Sequence, residues 1–283
     1  MAFDIYSAVT ERIISQLENG IIPWNKPWTG IASGAVSGAT GKPYSMLNQM
    51  LLEKPGEYYT WNQIQKLGGK VRKGEKSSMV VFWKQLPIEE KDPDTNEVTK
   101  KLIPMLKYYN VFHVDQIDGI DPKTVPIEDI DPATDEAADS IIADYLARSG
   151  VTLIHEAGDR AFYRPSTDSV TLPLREQFPD MSEYYSTAFH ELTHSTGHES
   201  RLNRLTKTAH FGNEEYSKEE LVAEIGAAAL LNHVGIETAS SFKNSTAYIQ
   251  SWLKALKNDK RLIVSASSQA SKAFALITNT EAN

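Results

Sequence analysis

The chain has 283 residues, 41% apolar and 23% charged, with a net charge of −8 and no cysteine. That length holds two domains of ordinary size. The composition excludes a disordered chain, and the missing thiols exclude disulfides and thiolate metal sites and suit a reducing compartment.

No window approaches the ~20 apolar residues of a membrane span. The opening MAFDIYSAVTERIISQ carries Asp4 and no unbroken apolar run, so no secretory signal is expected and the expected location is cytoplasmic, without membrane contact. The charge is unevenly spread: residues 1–125 hold 15 Lys/Arg against 14 Asp/Glu, and 126–283 hold 14 against 23. Within 22–84 the count is nine basic to three acidic, a local polyanion-binding pattern in an acidic protein.

In chain order, Ile5, Val9, Ile13 and Leu17 recur by fours and predict an amphipathic helix that stops at Gly20. The Gly/Pro/Trp-rich stretch IIPWNKPWTGIASGAVSGATGKPY is too irregular for one element. Short helices are expected at 48–52 and 60–67, and strands at 78–84 (SMVVFWK) and 107–114 (KYYNVFHV). PIEEKDPDTNEVTKK, between the strands, reads as an exposed hairpin or loop. DGIDPKTVPIEDIDPATDE lacks periodicity and reads as a linker, which places a boundary near Val125 between domains 1–125 and 126–283. Beyond it come a helix over 135–149, short strands at 151–156, 161–164 and 169–172, and a helix ending before Gly197 that Asp180 or Ser182 caps. Ser217 is placed as the cap of a helix to about His233, and 248–256 reads as one more amphipathic helix. The pattern is α+β in two domains.

The strongest chemical signal is HELTH at 190–194. Four residues apart on a helix, His190 and His194 project from one face and can converge on one ion, with Glu191 beside them and not a ligand. Zinc lowers the pKa of a bound water towards ~7, and a carboxylate accepts its proton as the water attacks a polarised carbonyl. A third ligand must come from elsewhere. The position six beyond His194 is Ser200, and His198 lies past the helix-breaking Gly197, which makes it a surface or supporting residue. EELVAEIGAAALL supplies Glu220 and Glu224 at the spacing E-x-x-A-acid, which resembles the third-ligand helix of gluzincins. That resemblance implies Glu220 as the ligand and Glu224 as a carboxylate supporting a ligand histidine. Glu219 and Glu224 stay open as rival ligands, and S-x-x-E at Ser217 and Glu220 also reads as a capping box. The small run 226–231 would let this helix pack close to the HELTH helix, and 169–172 would suit an edge strand that pairs with extended substrate.

Four of the five tryptophans (Trp24, Trp28, Trp61, Trp83) fall in the basic window, with Lys26 between the first two and Lys70, Arg72, Lys73 and Lys76 on a Gly-containing turn. Aromatic faces interleaved with cations suit single-stranded nucleic acid. The opposing expectation is that such tryptophans are core.

The strings IIPWNKPW, TGKPYSMLN, GGKVRKGEKSSMVVFWK, YYNVFHVDQI, FHELTHSTGHESRL and EELVAEIGAAALL resemble ArdC-type antirestriction proteins of conjugative plasmids across nearly the whole chain. The N-terminal half is also similar to the N-terminal region of plasmid TraC-type primases. The resemblance implies a single-stranded-DNA-binding N-terminal domain joined to a zincin-like metallopeptidase domain. It further implies one divalent ion, Zn2+ or else Mn2+, protection of incoming plasmid DNA from host restriction, and a protein substrate it does not name. A second expectation is a non-enzymatic protein that shields DNA or sequesters restriction enzymes, its metal structural. A nuclease is the weakest reading, because no Asp cluster supports two-metal chemistry.

Overall fold

The computed structural model describes residues 3–25, 34–91, 98–123, 135–205, 214–236 and 245–281. Asp4 caps the first helix, α1 (Ile5–Glu18), accepting from the Tyr6 and Ser7 amides, and the buried Val9, Ile13 and Leu17 form its inner face. Beyond α1 come β1 (Ala35–Ser37), α2 (Met46–Leu51) and β2 (Gly56–Thr60), then α3 (Trp61–Lys66), which starts on a capping box between Thr60 and Gln63. A short β3 (Lys70–Val71) precedes the long hairpin β4 (Ser78–Lys91) and β5 (Val98–His113), followed by β6 (Ile117–Asp118). The first four-stranded sheet runs β1-β2-β5-β4, and β3 pairs separately with β6.

The hairpin is longer than its apolar residues suggest. Pairing continues from Ser78↔Val111 out to Lys91↔Val98, through the segment read above as an exposed hairpin or loop, so of the two it is a hairpin. Backbone ladders need no apolar side chains, so periodicity underestimates a solvated ribbon. At its base, the fully buried Asn48 of α2 receives from and donates to the backbone of Val81 at 2.8 Å each, joining helix to strand.

The C-terminal part opens with α4 (Asp135–Ser149), then β7 (Thr152–His155), β8 (Phe162–Arg164) and β9 (Ser169–Leu172), in the order β7-β9-β8. The expectation that 169–172 forms a substrate-pairing edge is thereby corrected. β9 is central, parallel to β7 and antiparallel to β8, and every one of its residues is buried. The edges of this sheet are β7 and β8. Four helices follow: α5 (Met181–Ser195), α6 (Glu214–Val234), α7 (Ser245–Asn258) and α8 (Leu262–Thr278).

Helix α8 escaped the sequence reading. Its segment LIVSASSQASKAFALIT is serine-rich, and its exposed face is narrow (Ser265, Ser268 and Lys272), so a single charge is all that marks the polar side. A helix so largely apolar or small buries most of its surface. Its first turns join a core made by Val9 and Ile13 of α1, Met50 and Leu51 of α2, Val81 and Leu106 of the hairpin, Leu221 and Ile225 of α6, and Trp252 of α7. Its last turn, through Ile277, enters a second core with Tyr145, Val170, Tyr184, Phe189 and Leu230. The N-terminal helices thus share one apolar interior with the helices of the C-terminal part. The expected boundary near Val125 falls in 124–134, outside the described residues. No described helix is long and apolar enough to cross a membrane.

Candidate metal centre

Helix α5 starts on Asp180, whose carboxylate accepts from the Glu183 amide at 3.0 Å. Its inner face (Tyr184, Tyr185, Ala188, Phe189, Leu192) is fully buried and fixes the rotation of the helix, so His190 and His194 share the adjoining face. Helix α6 crosses it at very close range. A Cβ on Gly226 would lie 2.7 Å from the Thr193 Cγ2, so a residue larger than glycine would push the helices apart. This is the close packing expected of the 226–231 run. Because α6 begins at Glu214, Ser217 is not its cap, and the capping-box reading of Glu220 is withdrawn.

The close crossing brings Glu220 to both imidazoles. His190 Nε2 and His194 Nε2 are 3.1 Å apart, Glu220 Oε2 is 3.6 Å from the former, and Oε1 is 3.3 Å from the latter. One ligand atom from each of the three residues lies within 4.8 Å of the others. An ion with tetrahedral bonds of zinc length separates its donors by about 3.3 Å, so this donor set fits a divalent ion of that size. Three protein ligands leave a fourth position open. Glu191 is 8% exposed, and its charge acts on both imidazoles.

The rival glutamates lie behind the rings. Glu219 Oε1 is 3.3 Å from His194 Nδ1, and Glu224 Oε1 is 3.8 Å from His190 Nδ1. Glu224 therefore stands where an orienting carboxylate belongs. Glu219 stands in the same relation to the other imidazole, a placement the sequence reading missed. Nothing in the spacing marks it, because Arg204, which holds it, arrives from a loop. His198 lies beyond the helix and bonds the Ser200 hydroxyl. A cavity of about 470 Å³ lined by Arg204, Lys218, Glu219, Asp259 and Arg261 opens beside these residues, but it contains none of the three convergent ligands.

Proton affinities follow from the packing. Burial pulls His194 down, but its bonds to Glu219 and Glu220 and the Glu191 charge reverse this and carry it up to about 10. Burial likewise lowers His190, and Glu220 with the Glu224 and Glu191 charges moves it upward overall. Burial would raise Glu220, yet the two imidazoles hold it well below the usual carboxylate range. In the metal-free protein, His194 therefore contributes stability fully present below pH 6.5 and lost as pH rises through about 10. A metal must displace that proton. Zn2+ added at pH 7.5 is expected to release at least one proton, with affinity rising about tenfold per pH unit per proton. Calorimetry in buffers of different ionisation enthalpy reads the count, and zero release contradicts this assignment.

Residues 137–269 match the zincin-like metallopeptidase family, and residues 3–112 match the N-terminal domain of anti-restriction factor ArdC. The metal-free crystal structure of antirestriction protein ArdC from plasmid R388 superposes with a TM-score of 0.76 at 39% identity, covering 99% of this chain and 100% of that one. The chain belongs to the ArdC family. The Mn(II)-bound structure of R388 ArdC superposes equally well, with a TM-score of 0.77 at 36% identity and 98% of both chains covered. The y4eC protein of Sinorhizobium fredii is 32% identical across 94% of this chain and 89% of its own length. Two DNA primases TraC from Escherichia coli are 39% and 38% identical over 94% of this chain, which spans only 19% and 26% of their lengths.

Within the ArdC-type N-terminal part, the residues expected to bind nucleic acid are scattered. Trp24 is corrected: it is 5% exposed and packs edge-on against Trp252 at 5.0 Å, so it offers no face to a base. Lys26 and Trp28 lie outside the described residues. Lys70, Arg72, Lys73 and Lys76 are all exposed, with Arg72 3.6 Å from Asp118. Trp61, at the start of α3, is 50% exposed, and further accessible aromatics lie on the hairpin. Phe82 and Tyr109 (43% and 48% exposed) meet at 5.8 Å, and Tyr44 adjoins Phe82. Register puts Lys84 and Lys107 on that same face, while Trp83, 52% exposed, stands on the other.

Proposed function

We propose that this ArdC-family protein is a metal-dependent peptidase that binds single-stranded DNA and protects incoming plasmid DNA from host restriction. The observation that carries the peptidase half is the convergence of His190, His194 and Glu220 at 3.1–3.6 Å beside a buried Glu191. His190, His194 and Glu220 would hold a divalent ion, Zn2+ by donor type, with Mn2+ supported by the R388 relative. When bound, the ion supplies a Lewis acid and an acidified water. Glu191 takes a proton at its carboxylate as water adds to the peptide carbonyl, and returns it to the departing amine. Glu219 and Glu224 hold the rings from behind. An unfolded casein probe should be cleaved with Zn2+ or Mn2+ present and spared after chelation. Intact casein under both metals would remove the enzymatic half of the reading.

Support for the DNA half comes from the solvent-facing Phe82 and Tyr109 beside Lys84 and Lys107, and from the exposed Lys70–Lys76 turn. Bases stack on every aromatic ring, whereas cations follow phosphates. Phe82→Ala or Tyr109→Ala should weaken oligonucleotide binding by about 1–3 kcal/mol per lost stack. Neutralising Lys70 or Lys73 should flatten the salt dependence of log K by about 0.7 each if that lysine contacts phosphate. Fluorescence anisotropy on a labelled oligonucleotide across a salt series measures both. Unchanged affinity in the aromatic variants would move the DNA elsewhere on the molecule.

A further inference from the structure

Arg204 touches both helices that carry the metal-site residues, and its side chain is only 8% exposed. Its Nε and Nη2 each donate to a different oxygen of Glu219, both at 2.9 Å. Nη2 also donates to the Thr193 carbonyl at 2.6 Å, and Nη1 to the Thr196 hydroxyl at 2.8 Å. Thr193 and Thr196 flank His194 at the end of α5, and Glu219 immediately precedes Glu220 on α6. One planar cation thus spans the crossing where the donors converge, in the forked geometry that arginine offers and lysine does not.

The loop that delivers Arg204 is built for the purpose. The Arg204 and Leu205 amides both donate to the Gly197 carbonyl at 3.0 Å, and Asn203 reverses the chain with φ +48°. A Cβ on Gly197 would lie 2.8 Å from the Leu205 Cγ and 3.1 Å from the Arg204 Cγ, so a larger residue there would displace the arginine. Glu219 itself is 11% exposed. Without its cation, that buried carboxylate would be left with His194 alone, a strong drive to rearrange.

We propose that Arg204 is a positioning residue for the metal site and sets which of two adjacent glutamates faces the ion. Both oxygens of Glu219 are engaged by the guanidinium. Glu219 is thereby held behind the His194 ring, accepting from Nδ1, while Glu220 is left to complete the donor set. This rests on the reading of His190, His194 and Glu220 as ligands.

The test uses the full chain and two readouts besides activity: Zn2+ affinity by competition with a chromophoric chelator, and the visible absorption of the Co2+-loaded protein. Arg204→Met and Glu219→Gln should each lower Zn2+ affinity about 10–100-fold, the range for partners that orient a ligand. The double variant should be no weaker than the weaker single, because both act through one contact. The Co2+ spectrum should change in Arg204→Met and in Arg204→Lys, since an ammonium cannot engage both oxygens in a fork. Wild-type affinity with an unchanged Co2+ spectrum in Arg204→Met would overturn the proposal, and so would losses that add in the double variant. If Arg204→Met fails to fold, the charge-retaining Arg204→Lys decides by the same two readouts. A wild-type chain that takes up neither Zn2+ nor Co2+ would instead sink the ligand assignment, and Arg204's role with it.

Discussion

Replacing Glu191 by Gln is expected to slow peptide hydrolysis by roughly 10²–10⁴-fold, the usual contribution of a general base, while metal and DNA binding persist. The amide keeps the shape of the side chain and removes only its capacity to accept a proton. Glu191 is buried beside the donor cluster and is not one of the three convergent ligands, so its loss should not release the ion. Two measurements belong together: casein cleavage by the metal-loaded protein, and protection of plasmid DNA transferred into a restricting host. Loss of both makes hydrolysis the means of protection. Loss of cleavage with protection intact favours the binding-protein reading, in which the ion clasps α5 to α6 and the chain acts by occupying DNA or the restriction machinery. An undiminished cleavage rate would remove Glu191 from the mechanism.

Glu220→Ala should be the most damaging single change for metal uptake, with Zn2+ affinity falling by more than ~100-fold, beyond the span expected for residues that merely orient a ligand. The contrast with Glu219 and Glu224 is the informative part. Glu220 alone approaches both Nε2 atoms, whereas its neighbours stand at the Nδ1 sides of the rings. Metal removal should also lower the melting temperature of wild type, since a ligand bound only to the folded state stabilises it by mass action. In Glu220→Ala that dependence should vanish. If Glu219→Gln proves equally damaging, the assignment of ligand and supporter must be exchanged.

Local patterns carried much of the architecture. The fourfold apolar spacing of α1 and the Asp180 cap of α5 are near-neighbour effects, which a linear reading captures. H-E-x-x-H also fixes its own geometry, because a helix turns the same way in any protein. What failed depended on distant partners. Trp24 was read as a stacking platform because it sits among lysines, but Trp252, far along the chain, covers it. β9 was read as an edge strand, but β7 and β8, both earlier in the chain, pair with it on either side. α8 is buried over most of its surface, and the narrow exposed face of Ser265, Ser268 and Lys272 leaves only a faint periodic trace.

From the sequence alone came the metal-site motif: two imidazoles one helical turn apart beside a carboxylate, and a short list of acids able to complete the set. Only the tertiary structure separates those acids by position. Glu219, Glu220 and Glu224 are chemically identical, and they differ in which side of each ring they reach. That outcome depends on the close crossing at Gly226 and on a loop arginine that occupies one of the three.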